Sequence, residues 1–235
     1  MKIISISVFS AIVFGSFSVS AEEAATVSFS VGKVSYKSSK DPKAAWKPLK
    51  KNDKVEGGTS IQTGNGSSVT FVFAGSEFKI YPNTTVVLNA LPSKNQEGHI
   101  DVPSGFAWFK LKDVEKSGFK ATTPASTAGV RGTAFASLYD PKLETAMNCT
   151  CHGKVEVKGT GNEKGTMVEK GNGSYVDKSG KVNTGSYAGL IEKTDALPGF
   201  ENLIQKAPLL KNCLSCHAPK GWQMKGITKD ETYGK

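Results

Sequence analysis

Arginine is almost missing from this 235-residue chain: Arg131 stands alone beside 29 lysines. Without arginine forks, and with no aromatic stripe interleaved among the lysines, the chain lacks the equipment of nucleic-acid recognition. Histidine occurs three times, at His99, His152 and His217. So few imidazoles leave few general bases. No Ser-His-Asp order, phosphate-cradling glycine loop or paired-carboxylate context stands out, which argues against hydrolytic catalysis and for a carrier, binding or sensor protein rather than an enzyme. Beyond the N-terminus no run approaches the roughly 18 uninterrupted apolar residues of a membrane helix, so no integral span is expected there. Helical periodicity is nearly absent from Ala25 to about Val182.

The N-terminus itself is distinctive. Met1-Lys2 precedes an apolar run, Ile3 to Val19, diluted with serine and glycine, and Ser20-Ala21 is followed by Glu22-Glu23. A charged start, a short apolar middle and small residues at Val19 and Ala21 predict a signal peptide over residues 1–21, cleaved after Ala21, and a periplasmic location. No cysteine follows the run, so a lipid anchor is not indicated. Cleavage removes only Lys2 among charged residues, leaving 29 basic against 21 acidic residues, or +8. The lysines are scattered, as on the solvated faces of a β domain. The charge also suits an acidic redox partner in the periplasm or an anionic component of the cell envelope. Nothing in the pattern speaks to oligomeric state.

From residue 25 to about 185 the chain is a series of short alternating runs separated by Gly, Asn, Pro and Ser. Ser68–Phe73 and Glu77–Tyr81 alternate polar with apolar around the tight turn Ala74-Gly75-Ser76, predicting a hairpin. Further strands are predicted at Val31–Tyr36, Thr85–Leu91, His99–Val102, Phe106–Leu111, Phe119–Thr122, Ala134–Tyr139, Glu144–Cys151, Lys154–Lys158, Met167–Lys170 and Ser174–Asp177. Each buries one face and needs a second layer, so the fold class is all-β: a sandwich, roll or solenoid-like stack. Residues 186–235 differ in texture. Phe200, Leu203 and Ile204 fall at helical spacing, with Pro198 suited to a first turn and Pro208 to a stop, predicting a short helical C-terminal tail.

The run Val55-Glu-Gly-Gly-Thr-Ser-Ile-Gln-Thr63-Gly64, then Ser67 to Phe73, Gly75-Ser76 and Ile80-Tyr-Pro82-Asn-Thr84 resembles the first half of a FecR-type periplasmic domain. Phe119-Lys-Ala-Thr-Thr-Pro124, Val130-Arg131-Gly132-Thr133-Ala-Phe135, Gly153 and Val155-Glu-Val157 continue the resemblance, which spans about residues 27–176. It implies a FecR-like β-sandwich or β-roll acting as a sensing, binding or scaffolding unit. Family members that regulate iron uptake add a cytoplasmic anti-sigma segment and a transmembrane helix; neither is recognisable here, so the resemblance implies the extracytoplasmic module alone. Arg131, between a turn and an apolar strand, reads as a structural arginine bonding loop carbonyls or a carboxylate.

The four cysteines form two clusters, Cys149-Thr150-Cys151-His152 and Cys213-Leu214-Ser215-Cys216-His217. Two thiols separated by two residues reach both vinyl groups of a haem, and the next histidine then meets the iron. Chance placement of this composition would produce the motif about once in a thousand such chains. The second cluster therefore predicts one covalent haem c, with Cys213 and Cys216 as thioethers and His217 as proximal iron ligand. Only 18 residues follow His217, so the haem is exposed or borrows cover. Met224 and His152 are candidate distal ligands; His99, Met147 and Met167 are others if the tail docks on the β domain, and five-coordinate iron fits equally.

In a strand, Cys149 and Cys151 share one face, where distortion would be needed to bond them to each other. They read as small buried apolar residues. Two rivals stay open: zinc held by four thiolates, or by three and a histidine, and disulfides in any of three pairings. The functional expectation is electron transfer or haem-based sensing. The alternative is a non-enzymatic envelope-binding or sensing module whose cysteines are structural or bind zinc.

Overall fold

The computed structural model describes residues 24–93 and 95–186. The predicted signal peptide, the predicted helical tail, and Cys213, Cys216, His217 and Met224 lie outside the described residues. Among the described residues no helix is long and apolar enough to cross a membrane.

All regular elements described are strands, as the two-residue alternation demands. The first eight are β1 (Ala25–Val31), β2 (Val34–Ser38), β3 (Lys47–Pro48), β4 (Lys54–Val55), β5 (Thr59–Thr63), β6 (Ser68–Phe73), β7 (Ser76–Ile80) and β8 (Thr85–Ala90). Then come β9 (Gly98–Lys110), β10 (Phe119–Thr122), β11 (Ser126–Val130), β12 (Ala134–Asp140) and β13 (Thr145–His152). The last are β14 (Lys154–Gly159), β15 (Thr166–Glu169), β16 (Asn172–Val176) and β17 (Val182–Ser186).

They form two layers. The first sheet runs β4–β1–β6–β7–β9–β12–β13–β16–β17. The second runs β3–β2–β5–β8–β9–β10–β11–β14–β15. Every pairing is antiparallel except β9 with β10. From β10 onward successive hairpins alternate between the two sheets, and inward-facing residues of both layers meet in one interior. Five phenylalanines fill its centre. Phe71 stacks on Phe78 at 4.9 Å, and Phe109, Phe119 and Phe135 close around them at centroid distances of 5.1–6.2 Å. All five are essentially fully buried.

β9 belongs to both sheets. Residues 98–104 pair with β8 and β10, and residues 105–110 with β7 and β12. The sequence reading placed two strands here; they are one continuous strand. Gly105, at φ 88°, supplies the bend, and a Cβ there would lie 2.6 Å from the Thr84 Cα. The predicted Val31–Tyr36 strand is, conversely, split at Gly32 (φ 73°) into the end of β1 and the start of β2. There the Lys33 amide donates to Ser67 Oγ at 2.8 Å. The predicted β6–β7 hairpin is present, with Ala74 and Gly75 both at positive φ as its two-residue turn requires. β11, whose inward residues are Ser126, Ala128 and Val130, was not among the predicted strands; two of those three are too small to mark a period.

Gly105→Ala combines a left-handed backbone penalty with overpacking and should cost about 3 kcal/mol in urea unfolding. Gly66→Ala, also at positive φ (64°) but with nothing within 4 Å of the added Cβ, should cost only about 1 kcal/mol. Equal losses would show that crowding at Thr84 is unimportant.

Candidate functional site

β12 and β13 carry the first cysteine cluster, and they are buried on both faces, whereas most strands here bury one. On the inner face, register sets Asn148 opposite Ser137 on one side and Ser174 on the other. Ser137 Oγ donates to Asn148 Oδ1 at 2.7 Å, and Asn148 Nδ2 donates to Ser174 Oγ at 3.2 Å and, more weakly, to Ser126 Oγ at 3.4 Å. These four side chains are at most 2% exposed, so this polar node links β11, β12, β13 and β16 where water does not reach.

The outer face of the same strands is apolar. Met147, Cys149 and Cys151 alternate along β13 and are 1%, 1% and 6% exposed. The two thiols share a face, as the strand reading requires, and are not joined to each other. His152, at the end of β13 opposite Ala134, is exposed. Met147 and His152, both proposed as distal ligands, thus differ sharply: one is buried in an apolar surface and the other faces water.

The remaining sequence candidates are dispersed. His99 sits on the second sheet, its Nε2 2.9 Å from Asp101 Oδ1 and 3.3 Å from Thr122 Oγ1. Asn89 Nδ2 donates to Asp101 Oδ2 at 2.8 Å. Met167 is 54% exposed. Arg131 is exposed and takes part in no ion pair or side-chain hydrogen bond recorded among the described residues. The carbonyl-bonding role expected of it is not realised there; Gly132 beside it, at φ 74°, makes the turn instead. Among the described residues no three His, Cys, Asp or Glu side chains converge as a metal set, so Cys149, Cys151 and His152 do not form one by themselves.

A cavity of about 410 Å³ opens where the outer face of β12 meets the bend of β9, lined by Pro82, Gly105, Phe106, Leu138, Tyr139 and Asp140 among others. Burial, then the charges of Glu144 and Asp140, push the Tyr139 hydroxyl above its ordinary pKa, so it stays a proton donor. The sequence reading missed this cavity because it is made by the bend of one strand against the end of another. Its only local signal is Tyr139-Asp140-Pro141 closing a strand.

The β16–β17 hairpin completes this edge. Its turn is tied by Asp177, whose Oδ1 accepts from the Ser179 amide at 2.8 Å, from the Ser179 hydroxyl and from the Lys181 amide at 3.2 Å. Burial alone would raise the Asp177 pKa; those donors and the Lys181 charge outweigh it and hold the carboxyl below its ordinary range.

Residues 59–160, from β5 to the turn after β14, match the family described as FecR protein. The Val130-Arg131-Gly132-Thr133-Ala134-Phe135 run lies inside that match. Among solved structures, two of a "putative anti-sigma factor from Parabacteroides distasonis ATCC 8503" are similar, each at 18% identity, with TM-scores of 0.47 and 0.46. Each similarity covers 54% of this chain and 59% of that one, so the chain spans less than two thirds of those structures' length. No curated protein matches the chain.

Asn148→Leu removes the partner of two buried hydroxyls, those of Ser137 and Ser174, while Ser126 keeps Thr123 Oγ1 at 3.1 Å, and should cost about 2–4 kcal/mol in chemical unfolding. Asp177 is the group with the depressed folded pKa, so its stabilisation is present above the unfolded carboxyl pKa of about 3.9 and is lost as pH falls through the folded value. Asp177→Asn should therefore lower the thermal midpoint at neutral pH, with the difference from wild type vanishing in strong acid. A difference that grew on acidification would contradict this assignment.

Proposed function

We propose that the chain is an exported FecR-type module of the cell envelope. It carries one covalent haem c on its C-terminal segment and acts as an electron carrier or a haem-based sensor. The observation that carries this reading is Cys213-Leu214-Ser215-Cys216-His217. In that spacing Cys213 and Cys216 form the thioethers and His217 holds the iron from the proximal side. The N-terminal sequence supports export, and c-type haem is attached outside the cytoplasm. A bound haem would supply one-electron chemistry or an open iron site for a small ligand. The β domain would present it to a periplasmic redox protein or envelope component, with the lysine excess favouring an acidic surface.

The FecR match favours a second reading, in which the β domain alone senses or binds an envelope component and the cysteines are structural or hold zinc. Material matured in a host with c-type haem assembly separates the two. Wild type should give a haem-stained band on a denaturing gel and a strong visible spectrum, and Cys216→Ala should lose most of the covalent stain. Colourless wild type with the mass of bare polypeptide would leave the second reading standing. If haem is present, a low-spin spectrum that responds reversibly to reductant indicates electron transfer, and high-spin iron that takes up carbon monoxide indicates sensing.

A further inference from the structure

Positive charge in the described fold is gathered at one corner. Residues 24–58, which carry β1 to β4, hold eight lysines against three carboxylates, a net +5, whereas residues 59–186 hold 14 basic against 11 acidic residues, a net +3. The ion pairs follow the same division: the five recorded among the described residues all lie beyond residue 58. Two of the corner's carboxylates are engaged with the backbone, Asp41 accepting from the Lys43 amide at 2.9 Å and Asp53 from the Lys50 amide at 2.7 Å. The third is Glu56.

Two cavities adjoin here and share Lys47 as a wall. One, of about 500 Å³, is lined by Lys33, Trp46, Lys47, Lys50 and Lys51 among others. The second, of about 480 Å³, is lined by Lys37, Lys40, Lys47 and Glu56 among others. Packing fixes the frame. Leu49 is buried in the interior, its amide donates to the Val34 carbonyl at 3.0 Å, and Lys47–Pro48 pairs with Ser35–Tyr36. With Leu49 turned inward, Lys47, Lys50 and Lys51 around it are left exposed, as is Lys33 after the turn at Gly32. None of these four has a carboxylate partner among the described residues. Trp46 is 42% exposed, and the Lys37 Nζ lies 5.3 Å from the centre of its ring.

We infer that this double cleft binds an extended anionic polysaccharide of the cell envelope. The inference deepens the envelope-binding reading of the β domain, on which it rests, and does not depend on haem. Charge complementarity sets the sign of the ligand, because the clustered ammonium groups repel one another until anions lie between them. Two cavities in series suit a polymer better than a single ion. Lysine presents a point charge without the planar fork of arginine, which fits acid groups offered at varied angles along a chain. The exposed indole of Trp46 adds a flat apolar surface for the C–H face of a sugar ring. A peptide joining as an extra strand would need a row of free backbone groups on the sheet edge. The edge strand here, β3, has two residues, and one of them, Pro48, has no amide hydrogen.

The test titrates the mature full-length protein with polygalacturonate in a calorimeter, with haem stained in the same samples so that binding and haem content are scored separately. Wild type should bind at low salt and more weakly as salt rises. Lys47→Gln, Lys50→Gln and Lys51→Gln together should lower the affinity about tenfold or more. The control triple, Lys164→Gln, Lys170→Gln and Lys178→Gln, changes the net charge equally at exposed positions in the turns from β14 to β17, and should lower it less than about twofold. Trp46→Ala should weaken polygalacturonate binding about fivefold and leave binding of polyglutamate, an acidic peptide, nearly unchanged, with circular dichroism showing the β domain intact. Equal losses in the two lysine triples would overturn the cleft while leaving an envelope module that binds through diffuse charge. No binding by wild type, or polyglutamate bound as tightly as polygalacturonate at equal charge, would overturn the sugar ligand. Colourless protein that binds as expected would support this inference and remove the haem reading alone.

Discussion

The architecture depends on one strand belonging to two sheets. β9 can cross from one layer to the other only because Gly105 adopts a positive φ, and the crossing is held by the neighbouring Thr84. The amide of Phe106, the first residue beyond the bend, donates to Thr84 Oγ1 at 2.9 Å. The Thr84 amide in turn donates to Thr63 Oγ1 at 3.0 Å, and Tyr81 donates its amide to the Phe106 carbonyl at 3.1 Å. These bonds satisfy backbone groups that a sharp bend would otherwise leave unpaired. With β9 fixed, β7 and β12 pair along one end and β8 and β10 along the other. The five phenylalanines of the interior are then brought together from both layers.

A consequence is that the two faces of the first sheet do different work. Towards β1 the sheet follows the usual antiparallel pattern of one buried and one wet face. At β12 and β13 the inner face holds the Ser137–Asn148 node and the outer face is apolar and buried. Buried polar side chains are costly unless fully paired, so the node favours one register for four strands. Register in turn decides which residues lie on the apolar outer face, because a one-residue slip would exchange Met147 and Cys149 for Asn148 and Thr150. Inner polarity and outer apolarity are thus one constraint seen from two sides.

Much of the fold was legible in the residues. Alternation located β6, β7, β8, β10, β12, β13, β14, β15 and β16 to within a residue or two. It failed where packing, not local pattern, sets the boundary. β9 was read as two strands because Pro103-Ser104-Gly105 looks like a turn, and only Thr84 on a neighbouring segment makes it a bend within a strand. In the Val130–Phe135 run the turn geometry rests on Gly132, at φ 74°, as a glycine between two apolar strands suggests, while Arg131 beside it is exposed.

The sequence by itself determined that the chain is built of short strands, that it carries an export-like N-terminus, and that two thiols and a histidine near its end are spaced for haem. Those are properties of neighbours along the chain, set by the two-residue period of a strand and by the reach of two side chains to one porphyrin. Only the tertiary structure decided which strands share a sheet. It buried Met147, Cys149 and Cys151 on a second apolar face while leaving His152 in water. It also opened a cavity at the bend of β9. Those depend on cross-strand register and on contacts between residues far apart in the chain, which no local spacing encodes.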